Sequence, residues 1–486
     1  MAARRVPLPL GLKAGTGQSS LVSAENLINL YPEVNRGTAL APVNLLSIPG
    51  QVAFSTIGGA KRGQFMAAGT HFAVRGEALY TVDSAGAATN RGTIEGSNRC
   101  DFTYDGSFLH IVADIKSYYV DLASFTISEH SDPDFQQANS ICTVSRLPVF
   151  SRVGTGQIAW PALTDTTAFD GLDFAEAETS PDSITAVRES AQELLIFGTE
   201  TLEPWRFTGN PDQYFEASTA AAPIKVGTRW RDTIQNTDNA PWWLATNGEG
   251  ALYVARLQGY NAARMSNHAV ETNLEKASAS ALNGAFAFSY AQRGHAFYAL
   301  TVPDHCTWVC DISTGGEWHQ RLAGTWPITT PEIPQGDWGV RDFAVNAARM
   351  PIVGKTDGNL YALDFDSFSQ DGAGIVRECI TPPFFAGGFS FSICEIELIV
   401  ATGVGLSSGT GSTPYMQLSL SFDGGKSWGD AFIEELGPLG EYGWGVRFMR
   451  CGRCPGPKGV MAKFRCSDAV DFVPVQAFIS FEGGTR

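Results

Sequence analysis

A strand pair that keeps returning along the chain constrains the fold more than any other feature. Turn-and-strand segments at 77–83, 250–256 and 358–364 share the pairs Leu79-Tyr80, Leu252-Tyr253 and Leu360-Tyr361 in an alternating apolar pattern. A second strand precedes them, such as Phe72-Ala73-Val74 or Trp242-Trp243-Leu244, and degenerate copies lie at 116–122, 200–207 and 306–312. Alternation with period two marks half-buried strands, and a repeat every ~40 to 55 residues is the length of a four-stranded blade with its loops. The expected fold is all-β: a β-propeller of six or seven blades. Seven units can be bracketed from residue 61 onward, but the third (141–146, 157–160, 169–174) reads equally as an insertion, which leaves six.

At 486 residues the chain exceeds the size at which one core keeps growing, so more than one domain is expected. Residues 1–37 read as an extended N-terminal arm that could dock on a neighbour, 38–380 as the propeller, and 381–486 as a C-terminal antiparallel β-sandwich or barrel. In the last of these, strands near 392–401, 416–422, 446–451, 460–465 and 475–481 are separated by Gly-rich turns, with a Gly/Ser/Thr loop at 402–413. The 38–57 stretch is expected to supply the strand that closes the ring, removing an exposed sheet edge. Helix is expected only at 267–282, with a short turn at 23–30.

The formal net charge of −16 argues against a surface built to coat nucleic acid, which would need a basic stripe. It does not exclude contact with DNA that must slide past without adhering, and a surface that keeps the protein soluble is the plainer reading. No 18-residue apolar run is free of charges or turn residues, so no membrane span is expected. Arg4 and Arg5 open what resembles a signal n-region, but Pro7, Pro9 and Lys13 interrupt it. Nine cysteines without a framework fit a reducing compartment.

The sharpest local motif runs from Ser421 to Trp428. Ser421, Asp423, Gly425, Ser427 and Trp428 fit an Asp-box turn: the carboxylate caps backbone N–H groups, glycine permits positive φ, and the indole packs beneath. Such a turn is structural even in sialidase-type propellers. A glycosidase also needs paired carboxylates, and the sequence does not pair Asp165, Asp170, Asp173, Glu176 and Glu178; the run 170–182 reads as a solvated loop. Cys451 and Cys454 have metal-knuckle spacing, with Cys466 and Cys394 as conceivable partners, but no second pair completes a zinc site. The seven histidines form no His-x-x-x-His pair, and no phosphate-binding loop is present. Neither a catalytic residue, a metal nor a cofactor is expected.

Arginine interleaved with aromatics occurs at Arg229, Trp230 and Arg231 and again along 447–453, close to Trp444. Stacking on nucleic acid would use such residues, but arginine with tryptophan is the usual pairing at protein interfaces. Arg229, Trp230, Arg231 and Trp444 are therefore the candidate interface. Trp242, Trp243, Trp326 and Trp338 are weaker candidates, several of them expected in the core.

Three segments carry a resemblance to a known family. They are Asn26-Leu27-Ile28-Asn29-Leu30-Tyr31-Pro32 followed by Ser47-Ile48-Pro49-Gly50, the 195–205 strand pair ending in Glu203-Pro204-Trp205, and Phe448-Met449-Arg450-Cys451-Gly452-Arg453. With this layout the chain resembles the packaged-DNA stabilisation proteins, the tail hub or nozzle of short-tailed double-stranded DNA phages. The resemblance implies a non-enzymatic virion protein of the phage tail, made in the bacterial host cytoplasm. It implies a homo-oligomeric ring, a hexamer in the better-known cases, beneath the portal and its adaptor (the head–tail connector). Such a ring would extend the channel for genomic DNA, help hold packaged DNA, and dock tail spikes, fibres or a needle. The alternative, drawn from the Asp-box and the tryptophans, is a carbohydrate-binding or glycosidase-like β-propeller.

Overall fold

The computed structural model describes residues 4–483 apart from 16–24, 36, 38–39, 178–181, 212, 220–221, 248, 325–333 and 410. Among the described residues, five separate four-stranded sheets occur in chain order; four further strands begin a nine-stranded sheet and four begin a six-stranded one, which makes seven blades. The first blade comprises Lys61–Ala67, Thr70–Arg75, Ala78–Val82 and Ala88–Thr93. The third, doubtful in the sequence, is a full blade of Ala138–Val144, Leu147–Arg152, Gln157–Ala159 and Phe174–Glu176. The innermost strand of the seventh blade, Val340–Val345, lies against that of the first.

Burial follows position in the blade. The second strands are wedged between neighbouring blades, so Ala240–Thr246, with Trp242 and Trp243, is buried on both faces. The outermost strand of the first blade, Ala88–Thr93, is largely exposed. In five blades the inner hairpin closes through two residues at positive φ: Ala68-Gly69, Ser145-Arg146, Ala191-Gln192, Asp238-Asn239 and Arg293-Gly294. Two successive left-handed residues make the type I′ turn, whose twist matches that of the flanking strands.

The ring closes as the sequence suggested. Gly50–Ser55 pairs antiparallel with Leu360–Asp364, from Asp364↔Gly50 to Leu360↔Ser55, so the seventh blade takes its outer strand from the N-terminal region. Helix occurs where expected, as His268–Glu275 and Ala279–Asn283, each begun by a side-chain cap from Asn267 and Ser278. The expected turn at 23–30 is instead strand from Asn26 to Ile28, and residues 23 and 24 lie outside the described set.

The C-terminal region is a sandwich. One sheet holds Phe391–Val400, Val446–Cys454 and Pro474–Gly483; the other holds Arg377–Ile380, Met461–Cys466, Tyr415–Ser421 and Phe432–Glu435. Ile396, Leu398, Phe448 and Ile479 of the first meet Met416, Leu418 and Phe464 of the second in one buried core. The N-terminal arm is not free: Arg4–Leu8 adds to the first sheet, pairing antiparallel with Pro474–Gly483 from Arg4↔Phe481 to Leu8↔Ala477. It docks on its own chain, with Pro7 on the outer strand, where a missing N–H breaks no ladder.

One strand welds the two bodies. Asn26–Ile28 pairs in parallel with the last strand of the sixth blade at Gln320 and antiparallel with Arg377–Ile380 of the sandwich. The blade and the second sandwich sheet are thereby one continuous nine-stranded sheet.

Candidate functional site

Two regions hold the residues on which a function could rest: the axis of the propeller, and the junction and outer face of the sandwich. At the axis, the inner strands of all seven blades border a cavity of about 480 Å³. Asp101 accepts from Arg188 Nη1 at 2.8 Å and from Ser140 Oγ at 2.8 Å. Burial works against its charge, but Arg188 and Arg231 outweigh that and hold the carboxyl below its usual range. Arg99 lies over the Phe286 ring at 3.8 Å and donates to the Arg341 carbonyl. The cavity is thus bordered by paired polar groups, among them Asp101, Arg188 and Arg99. A cavity of that volume is far from a pore that passes a duplex.

The expected interface residues are not brought together. Arg229 is exposed, and Trp230 is half-buried against the core around Trp242 and Leu244. Arg231 turns inward: its Nε meets Asp232 Oδ1 at 3.0 Å, its Nη2 donates to the Arg99 carbonyl at 3.1 Å, and its Nη1 to the Asn139 carbonyl. Arg231 looks like part of a surface cluster in sequence because two of its partners, Arg99 and Asn139, lie far along the chain. Trp444 is exposed in the sandwich, as are Leu439 and Tyr442 just before it and Met449 on the strand that follows. Trp242, Trp243 and Trp338 are fully buried core, and Trp326 lies outside the described residues.

The Asp-box residues do converge. Asp423 Oδ1 accepts from the Lys426 and Ser427 backbone N–H groups at 2.9 and 3.0 Å, and Oδ2 from Ser427 Oγ at 2.6 Å. Gly425, at φ 84°, donates its N–H to Ser421 Oγ at 2.9 Å. Burial works to raise the Asp423 carboxyl, but the hydrogen bonds from Ser427, Ser421 and the Lys426 N–H together outweigh it and hold it down to about 2. Trp428 packs beneath on Ile380 and Met461, with Lys463 Nζ 4.5 Å from its ring centroid. Burial lowers that ammonium to about 8.

Sequence reasoning missed the junction residues. Asn29, fully buried at φ 55°, donates through Nδ2 to the Leu322 and Val376 carbonyls at 2.9 and 2.8 Å. Its Oδ1 accepts the Leu322 N–H at 2.9 Å. Glu378 and Arg465 pair between adjacent strands, with Nε–Oε2 at 2.7 Å, both buried. The one sequence signal was asparagine itself, which tolerates the left-handed region better than other side chains.

On the outer face, Glu397 takes Arg447 Nε at 3.1 Å and pairs with Arg5 of the arm, which also lies over Phe478 at 4.4 Å. Among the described residues no group of His, Cys, Asp and Glu is arranged to hold a metal. Cys451, Cys454 and Cys466 are buried free thiols in the sandwich core, and Cys394 is half-buried. No described helix is long and apolar enough to cross a membrane.

No curated protein matches the sequence. The fold is similar to the WD40 domain of Neurospora crassa Pan2, with 9% identity, 65% of this chain and 94% of that one covered, and a TM-score of 0.41. It is similar also to the WD40 propeller of Doa1, at 11% identity over 65% and 96% of the chains with a TM-score of 0.40. The extracellular domain of the two component system protein BT4673 from B. thetaiotaomicron matches at 8% identity and a TM-score of 0.43, over 76% of this chain but only 42% of that one. Residues 5–368 match the phage stabilisation family model, described as bacteriophage P22 Gp10, beta-propeller. That match takes in the closing strand and all seven blades, so the chain belongs to the packaged-DNA stabilisation family of phage β-propeller proteins and is a phage structural protein.

Proposed function

We propose that this protein is a ring-forming hub of the phage tail, a hexamer beneath the portal and adaptor, that extends the DNA channel and retains packaged DNA. The family match carries the reading, and a propeller axis that holds only a small cavity adds to it. A duplex that cannot thread one subunit must pass between subunits, and a closed ring supplies such a path through heterologous contacts. The nine-stranded sheet makes propeller and sandwich one stiff unit, suited to holding a pressurised load without hinging. The exposed Leu439, Tyr442, Trp444 and Met449 of the sandwich are the apolar side chains offered to neighbours, spikes, fibres or a needle. Net charge of −16 keeps DNA from adhering to the channel wall. The mature protein resides in the virion tail, and no substrate is turned over.

Retention of DNA is the test. Phage particles assembled without this protein are expected to package their genome and then lose it, with retention restored by adding the purified chain. Particles that keep their DNA in its absence would overturn the reading.

A further inference from the structure

A second cavity, of about 540 Å³, lies between the helix His268–Glu275 and the outer part of the sixth blade. Asn273 and Lys276 border it from the helix and its C-cap, His305 and Gln320 from the blade, and Arg321 from just beyond the last strand. Its size falls in the range of small-molecule sites, ~300–1,000 Å³. Two cations line it, Lys276 and Arg321, and no aspartate or glutamate does, in a chain whose net charge is −16.

Arg321 is 1% exposed and has no carboxylate partner among the described residues. Its Nη1 donates to the Tyr290 hydroxyl, and the guanidinium lies over the rings of Tyr290, Phe297 and Trp338. A buried cation without a counter-charge is costly, and its field favours an anion in the space beside it. Lys276 is exposed and forms no ion pair among the described residues, so its ammonium is free to meet that anion.

Asn273 ties the group together. Its carbonyl accepts from His305 Nε2 at 2.8 Å and from the Lys276 N–H at 3.2 Å, and its Oδ1 accepts from Trp308 Nε1 at 2.9 Å. Gln320 lies directly opposite Trp308 in the strand pair. The indole can only donate, so the Asn273 amide is oriented with Nδ2 as a donor that has no partner among the described residues. That side chain is half-buried, and its Nδ2 is not sealed from solvent. A carbonyl can only accept, so His305 Nε2 carries the proton and Nδ1 of the neutral ring is an acceptor. His305 is likewise half-buried, with Nδ1 open to solvent. An ammonium, an amide donor and one acceptor suit an anion that carries a proton of its own. Phosphate near neutral pH does; sulfate and carboxylate do not.

We propose that the cavity between this helix and the sixth blade binds a phosphate group, held by Lys276 and the Asn273 amide, whose own O–H donates to His305 Nδ1. The site goes beyond the hub reading and does not depend on it.

The test is isothermal titration calorimetry on the full chain at pH 8 and low salt, with inorganic phosphate, glycerol 3-phosphate and sulfate as probes. Saturable binding of phosphate is expected, with sulfate weaker by about fivefold, the loss of one neutral hydrogen bond. Glycerol 3-phosphate binding tighter than the free ion would identify a monoester as the ligand, and the reverse order inorganic phosphate. Lys276→Ala, at an exposed position, is expected to weaken phosphate binding about tenfold, the loss of one charge-assisted hydrogen bond. Asn273→Asp keeps the acceptor for Trp308 but turns a carboxylate toward the anion, and binding should disappear. No saturable phosphate binding, sulfate binding as tightly as phosphate, or binding that Lys276→Ala leaves unchanged would each overturn the proposal.

Discussion

Arg75 of the first blade and Asp342 of the seventh form a bidentate ion pair across the seam of the ring, Nη1 to Oδ2 at 2.8 Å and Nη2 to Oδ1 at 3.1 Å. Both side chains are buried, and Arg75 Nε also donates to the Gly358 carbonyl at 2.8 Å. Removing one partner leaves the other charge stranded, which typically costs about 3–5 kcal/mol. Asp342→Ala is therefore expected to lower unfolding stability by about that amount in urea titrations. Replacing both, as Arg75→Met with Asp342→Leu, should recover most of the loss, because no buried charge then lacks its partner.

Gly354 is tied to the same pair, since a Cβ there would lie 2.0 Å from Asp342 Oδ1 and 2.6 Å from Arg75 Nη2. Gly354→Ala is expected to break the salt bridge by steric displacement. A loss of about 3 kcal/mol in urea, approaching that of Asp342→Ala, is the predicted reading.

Asn29 joins the propeller to the sandwich through three side-chain hydrogen bonds to the backbone of Leu322 and Val376. Asn29→Ala orphans those groups and strains a left-handed backbone, and a cost of about 3 kcal/mol is expected. Asn29→Gly relieves the strain but not the orphans, so its loss should be smaller yet substantial. Differential scanning calorimetry should show both changes as a lowered or split transition, since the junction couples the two bodies.

His295 sits between Asp311, with Nδ1–Oδ2 at 2.7 Å, and Glu33 of the N-terminal hairpin. The hydrogen bond to Asp311 raises its pKa above 6.5; burial opposes this, and Glu33 adds to the rise. A raised folded-state pKa contributes stability that is complete below the unfolded value of 6.5 and is lost as pH climbs through the folded value. The stability difference between the native chain and His295→Gln should be greatest below pH 6.5 and shrink as the pH rises. Urea titrations over a pH series would check it; a difference that grows with pH would contradict it.

The inner turn of the fourth blade holds Ala191 and Gln192 at φ 52° and 67°. A side chain in the left-handed region costs roughly 1–2 kcal/mol, whereas Asn-Gly adopts the type I′ turn readily. Ala191→Asn with Gln192→Gly is expected to stabilise the chain by about 1 kcal/mol, read as a higher urea midpoint, because the gain exceeds the entropy that glycine adds to the unfolded state.

What the sequence discloses depends on the range of the cause. The Leu-Tyr strands and the closing strand were legible because alternation and turn residues are local signals. The third blade was doubtful because its outer strand has only three residues, Phe174–Glu176, reached through an irregular loop. The inner turns went unread as a class because only two of the five contain glycine, Ala68-Gly69 and Arg293-Gly294. Pairing of Arg4 with Phe481 has no local signature, so the arm read as one that could dock on a neighbour. The same holds at the candidate sites. The Asp-box was visible as one contiguous motif, whereas the inward turn of Arg231 is set by Arg99 and Asn139, far along the chain.

The proposed role makes this propeller protein a ring around DNA. Negative-stain electron microscopy with native mass spectrometry, on the purified chain alone and mixed with the portal–adaptor complex of its phage, tests it most directly. Rings with a central channel, six copies to a ring, or a cap added beneath the adaptor are predicted. A chain that stays monomeric and never joins the adaptor would contradict the account.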